Sequence, residues 1–279
     1  LASLPIVEYV QAAPGEAELL NNKNTANARG NVISSSLGRN LTGQGVVIGI
    51  GDNADPNQHI DFAGRVINRN STNGGNHGLH VMGISAGAGI LNEKFTGFAP
   101  KATILAQFNN GIVHSLPAYV QDHGMVITNN SYGLIVDDCQ SFGFYDLYSR
   151  ILDQQAAQLP YLQNVFAAGN SGVFGSTNCN RYPASFGTVL GAYQSAKNVV
   201  TVGNTTEIGA LAPSSSRGPV RDGRIKPEIT AQGSAVWSAG FGSYWANTGT
   251  SMSSPAVAGG LALLYQHYRQ LNGNATPRN

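Results

Sequence analysis

Five short apolar runs, each closed by Gly, Asn or Pro, constrain the fold of this chain more than any other feature. They lie at residues 46–50, 103–108, 125–128, 165–168 and 199–202. Each is continuous rather than alternating, as strands buried on both faces are. Stretches suited to helices fall between them, at about 80–88, 115–123, 144–159 and 254–271. Strand and helix in alternation predict an α/β fold, a mostly parallel sheet held between helical layers. Functional groups in such sheets gather at the carboxyl ends of the strands.

The 279 residues show no linker-like run of Pro, Ser or charge and fit one large domain. Residues 1–45 stand apart. They are Asn-rich, with little periodicity outside 4–10, and read as an N-terminal extension draped on the surface of a domain spanning 46–279. Apolar residues make up 42%, enough for a sizeable core, whereas charged residues are only 11%. A net charge of +1 without a basic stripe argues against nucleic-acid or anionic-membrane partners. No apolar stretch approaches the roughly 20 residues of a membrane helix. The longest candidate, 256–264, is broken by two glycines. Cys139 and Cys179 are too few for a zinc site and are either two thiols or one disulfide. The Asn- and Gly-rich, Lys-poor composition suggests export.

Four polar residues sit where such a sheet would put chemistry. Asp52 follows Val46-Val47-Ile48-Gly49-Ile50-Gly51, where a carboxylate can hold an imidazole in one tautomer. Taken alone, Asp-Asn is ordinary turn chemistry. His77 lies in Asn76-His77-Gly78-Leu79-His80, at a predicted helix start. His77 and His80 lack the Glu and the spacing of a zinc-protease helix, so His80 reads as a packed or hydrogen-bonded histidine. Asn170 closes Phe166-Ala167-Ala168-Gly169-Asn170, and its amide can donate to an oxyanion. Ser251, in Gly249-Thr250-Ser251-Met252-Ser253-Ser254-Pro255, precedes a predicted helix whose unpaired N–H groups can share that oxyanion. Ser253 and Ser254 lie closer to Pro255 and read as the caps of a helix that starts there.

The order Asp, His, Asn, Ser differs from the His, Asp, Ser of chymotrypsin-like enzymes. It also differs from the Ser, acid, His of α/β-hydrolases. With Asn130-Ser131-Tyr132-Gly133, Ser215-Ser216-Arg217-Gly218-Pro219 and Asp222-Gly223-Arg224-Ile225-Lys226-Pro227-Glu228, it resembles the subtilisin-like serine proteases, or subtilases, over about residues 43–271. Residues 196–203 and 222–227 are similar to the KP-43-type branch. The resemblance implies a three-layer sandwich around a mostly parallel sheet of about seven strands. It implies a secreted endopeptidase acting on polypeptides through an acyl-enzyme, with Ser251 as nucleophile, His77 as base and Asp52 orienting His77. Asn170 and the Ser251 N–H would hold the oxyanion. Ser131, Tyr132 and Gly133 would bind substrate as an added strand and, with Ala167, Ala168 and Gly169, wall the pocket for the residue before the cut. Tyr182-Pro183 resembles the family's cis-proline turn.

Departures are visible too. Asn53-Ala54 replaces the usual Ser or Thr then Gly, Leu79 stands where Thr is usual, and Met82 where a small residue is common. Residues 4–10 resemble the last strand of a pro-domain, so 1–13 read as its remnant. The carboxyl end stops short of the family's further helix and strand, so the chain reads as truncated or nicked. Its own pro-domain or C-terminal remainder are then expected partners. Cys139 and Cys179 each lie nine residues past a wall motif, counted from Asn130 and Asn170, and a disulfide bracing the pocket is expected. No cofactor is required for the chemistry. Structural calcium is common in the family, and Asp137-Asp138 would either favour basic residues at the cleavage site or, the reading preferred, form a solvated loop or a calcium ligand pair, with no metal ligands assigned. The rival readings are a transpeptidase or macrocyclase on the same scaffold and a non-catalytic binding module.

Overall fold

The computed structural model describes residues 22–35, 37–70, 74–134, 140–173 and 185–278. The chain opens with two short helices, α1 (Asn22–Asn27) and α2 (Gly30–Ser34). Then come β1 (Val47–Asp52), β2 (Val66–Asn68), α3 (Asn76–Ala86), β3 (Thr103–Phe108), α4 (Gly111–His114), α5 (Leu116–His123) and β4 (Met125–Asn130). The second half holds α6 (Leu147–Gln158), β5 (Gln163–Ala167), β6 (Val200–Thr205), β7 (Ile229–Gln232), a hairpin of β8 (Val236–Gly240) and β9 (Ser243–Asn247), and α7 (Thr250–Leu271).

Seven strands form one sheet in the order β2-β3-β1-β4-β5-β6-β7, with every pairing parallel. The five apolar runs became the five inner strands. Edge strands β2 and β7 had no such signal, because each is short and half-exposed. The hairpin is a separate antiparallel pair.

Side chains alternate between two cores, one on each face. Ile48 and Ile50 of β1, Ile104 of β3 and Val165 of β5 pack with Leu79, Val81 and Met82 of α3 and with Ala258 and Ala262 of α7. Leu105, Met125 and Phe166 face the other way, against Ile112, Leu116, Leu152 and Tyr193. Glycine at 49 is what lets Met125 and Ile112 close on β1, since a Cβ there would stand 2.4 Å from Met125 Sδ. The result is the three-layer sandwich. Burying about 100–150 Å² of one such aliphatic side chain is worth about 3 kcal/mol.

Within 1–45, the described residues pack onto the domain. Leu41 is fully buried in the first core. Gln266 Oε1 accepts from the N–H groups of Thr42 and Gly43 at 2.7 Å each, and Asn27 Nδ2 donates to Gln232 Oε1 at 2.7 Å.

Candidate active site

Asp52 ends β1, and Gly51 pairs with Asn130, so Asp52 and Ser131 stand side by side at the carboxyl edge of the sheet. His77 sits in the first turn of α3, whose N-cap is Gly75. Close approach of α3 to β1 needs glycine at 78: a Cβ there would lie 2.6 Å from Ala54 Cβ and 3.1 Å from Asp52 Oδ1. His77 Nδ1 therefore reaches both carboxylate oxygens of Asp52 at 3.0 Å. The carboxylate fixes the proton on Nδ1 and leaves Nε2 free as a base. Burial pulls the imidazole pKa down, but the Asp52 hydrogen bond and charge outweigh it, so the group is held above its ordinary 6.5.

His80, one turn on, is fully buried and does another job. Its Nε2 donates to the carbonyls of Val236 at 3.0 Å and Trp245 at 3.1 Å, bridging both strands of the hairpin. Ser238 Oγ donates to His80 O at 2.8 Å, and the Phe241 N–H to Asn76 Oδ1 at 2.9 Å. Burial lowers the His80 pKa to about 4, so the ring is neutral at pH 7. It is a clamp between α3 and the hairpin, in agreement with its reading as a packed histidine.

The helix that carries Ser251 starts earlier than its proline suggests. α7 begins at Thr250, and Pro255 lies inside it. Ser251 is thus in the first turn, and Ser253 and Ser254 are not caps. Gly249 is the N-cap at φ 155°, ψ 168°, a conformation essentially confined to glycine. Pro255 has no N–H for the carbonyl four residues back, that of Ser251. Ser131 Oγ supplies the missing donor at 3.0 Å. In return, Ser251 Oγ donates to Ser131 O at 3.2 Å. The turn is secured further by Ser254 Oγ, which donates to Asn129 Oδ1 at 2.6 Å, while Asn129 Nδ2 donates to Ser131 Oγ at 3.0 Å. The hydroxyl of Ser251 thus rests on the Ser131 carbonyl rather than on His77.

Asn170 is oriented by Thr250. Its Oδ1 accepts from the Thr250 N–H at 2.9 Å and from Thr250 Oγ at 3.1 Å. Both partners are donors, which fixes the amide with Nδ2 free for an acceptor. Thr250 Oγ in turn accepts from the Gly169 N–H at 3.2 Å. Asn170, Thr250 and Ser251 line one cleft of about 270 Å³, together with Ser131, Tyr132, Gly133, Ala167, Gly169, Ser171 and Leu190.

Most of the residues singled out from sequence therefore meet at one rim. Ala168 stands behind the cleft, fully buried. Tyr132 contributes backbone only: its hydroxyl donates to Asn130 Oδ1 at 3.1 Å, and its ring packs edge-on against Phe166 and Tyr193. Burial pushes its phenol well above the ordinary range. Thr250 and Leu190 were not singled out. The Gly-Thr-Ser triplet carried a signal for the first, whereas nothing in the sequence marked the second. Cys139, Cys179, Asp137-Asp138, Tyr182-Pro183 and residues 4–10 lie outside the described residues. Among the described residues, no three His, Cys, Asp or Glu side chains gather as a metal-ligand group. Asp61, the most buried carboxylate among the described residues, is filled by N–H and O–H donors: Ile90 N at 2.8 Å and Tyr244 Oη at 2.9 and 3.1 Å. No helix among the described residues is long and apolar enough to cross a membrane.

Residues 43–278 match the Peptidase S8 model, described as the subtilase family. Thermitase from Thermoactinomyces vulgaris is 30% identical over 242 residues, covering 80% of this chain and 75% of thermitase. A cold-adapted subtilisin-like serine proteinase of known structure has TM-score 0.57 at 26% identity, covering 85% of this chain and 80% of that one. The CspB protease of Clostridium perfringens shares the fold, with TM-score 0.71 at 16% identity over 90% of this chain and 88% of that one.

Proposed function

From the membership of this chain in the subtilase family of serine proteases, we propose that it is an endopeptidase cleaving polypeptides through an acyl-enzyme on Ser251. The observation that carries this reading is the Asp52–His77 pair set beside the strand end to which Ser251 is bonded. Rotation about the Ser251 Cα–Cβ bond would release Oγ from the Ser131 carbonyl and turn it toward His77 Nε2. Oγ attacks the scissile carbonyl as Nε2 takes its proton. Asp52 keeps Nδ1 protonated and stabilises the imidazolium. The carbonyl oxygen, now negative, is held by Asn170 Nδ2 and the free N–H of Ser251 in the first helical turn. Nε2 then gives its proton to the leaving amine. Water, activated by the same nitrogen, releases the acyl group.

The backbone of Ser131, Tyr132 and Gly133 would align the substrate as an added strand. The Tyr132 carbonyl accepts from Gln194 Nε2 at 2.9 Å, which holds this segment in place. The Asn-rich, Lys-poor composition supports action outside the cell. Activity recovered from washed cells rather than from culture medium would overturn that part.

A fluorophosphonate probe tests the reading. Labelling at Ser251, lost in Ser251→Ala and in His77→Ala, together with hydrolysis of a protein substrate, is the expected result. Folded protein that takes no label would instead be a binding module. Acyl transfer to an added amine in preference to water would mark a transpeptidase.

A further inference from the structure

We propose that Leu190 sets the depth of the cleft beside Ser251 and so restricts the residue ahead of the cut to small, uncharged side chains. The inference rests on the protease reading above and gives it a substrate class. A carbonyl attacked by Ser251 with its oxygen toward Asn170 must drop the side chain of its own residue into the adjoining cleft, because both groups line it. The two walls of that cleft end in glycines, Gly133 on one side and Gly169 on the other. Leu190 touches both at once. A Cβ on Gly133 would stand 2.5 Å from Leu190 Cδ1, and a Cβ on Gly169 would stand 2.6 Å from Cγ and 3.1 Å from Cδ1. The isobutyl group thus fills the inner end of the slot between the walls.

It is also held there. The Leu190 N–H donates to Ala168 O at 3.1 Å, on the wall itself, and Ser195 Oγ donates to Leu190 O at 3.2 Å. The residue is 7% exposed. An aromatic substrate residue would have to displace it against close-packed surroundings, which cores resist. No charged side chain stands among the described lining residues, so among them a substrate Lys or Glu would find no counter-charge.

Peptides that differ only in the residue before the cut, carrying Ala, Leu, Phe or Lys, test this. For the wild type, kcat/KM with Ala should exceed that with Phe by about tenfold or more, the scale on which pocket volume discriminates. Leu190→Ala should raise kcat/KM for Phe relative to that for Ala by about tenfold. Leu190→Val, a smaller change, should move the ratio the same way and serves if Leu190→Ala fails to fold. A wild type that cleaves the Phe peptide as fast as the Ala peptide overturns the proposal. So does a ratio unmoved in whichever variant folds. Fluorophosphonate labelling of each sample separates the two failures. A labelled enzyme with an unmoved ratio defeats only the role of Leu190, whereas folded wild type without label or turnover defeats the protease reading beneath it.

Discussion

Ser251 and Ser131 are bonded reciprocally, each hydroxyl donating to the other's backbone carbonyl, at 3.2 Å and 3.0 Å. One of these bonds repairs the gap that Pro255 leaves in the helix. Ser131→Ala removes that repair and strips Asn129 Nδ2 of its acceptor. Leaving such buried groups unpaired costs about 1–3 kcal/mol. Urea unfolding should report a loss of that size, accompanied by a several-fold fall in kcat as the first turn of α7 loosens. Wild-type stability in this variant would refute the bracing role.

The pH profile should follow His77. The base works when neutral, so kcat/KM rises as pH climbs through its pKa, which Asp52 holds above 6.5. Asp52→Asn should shift this acidic limb to lower pH and cut kcat by about 10⁴-fold, because the imidazole loses its tautomer control. The same shift has a stability sign. A raised folded pKa adds stability that is present in full below 6.5 and is lost as pH rises through the folded value. Initial rates from pH 5 to 9 check the limb; an unmoved limb in Asp52→Asn would be decisive against it.

Asn170 and Thr250 should separate by degree. Asn170→Ala removes a direct donor to the oxyanion and should lower kcat by roughly 10²–10³-fold. Thr250→Val keeps volume and the backbone N–H but removes the hydroxyl, one of the two donors that orient the amide. A fall in kcat of about tenfold, with KM steady, corresponds to a hydrogen bond of about 1.4 kcal/mol. Steady-state kinetics on a single peptide compare the two, and equal losses would contradict the ranking.

His80 should make the fold acid-sensitive. Its folded pKa of about 4 lies below the 6.5 of the free side chain. The stability it contributes is whole above pH 6.5 and drains as pH falls toward 4, by on the order of 3 kcal/mol. Chemical unfolding at pH 7 and pH 4.5, in a Ser251→Ala background to prevent self-digestion, should show this loss. His80→Gln, which keeps a donor for the hairpin carbonyls but cannot titrate, should flatten it. An equal acid loss in that variant would place the sensitivity elsewhere.

The inner strands were legible because burial on both faces forces continuous apolar runs such as 103–108. The edge strands were not: Val66–Asn68 and Ile229–Gln232 face solvent on one side, which relaxes that demand. The start of α7 was misplaced by five residues, from Pro255 to Thr250, because proline ordinarily marks a first turn. Here a side chain from another strand supplies the donor that proline lacks, and that contact is invisible along the chain. Asp52, His77, Asn170 and Ser251 stood out as candidates because each sits in a glycine-bearing motif at a strand or helix end. Thr250 and Leu190 are marked only by what they touch, and such contacts leave no periodic trace.

The β8–β9 ribbon is stapled to α3 through His80, Ser238 and Asn76, and it runs directly into the turn that bears Ser251. The ribbon thus gives His77 and Ser251 a second mechanical link, beside the one that runs through Asp52 and Ser131 at the sheet edge.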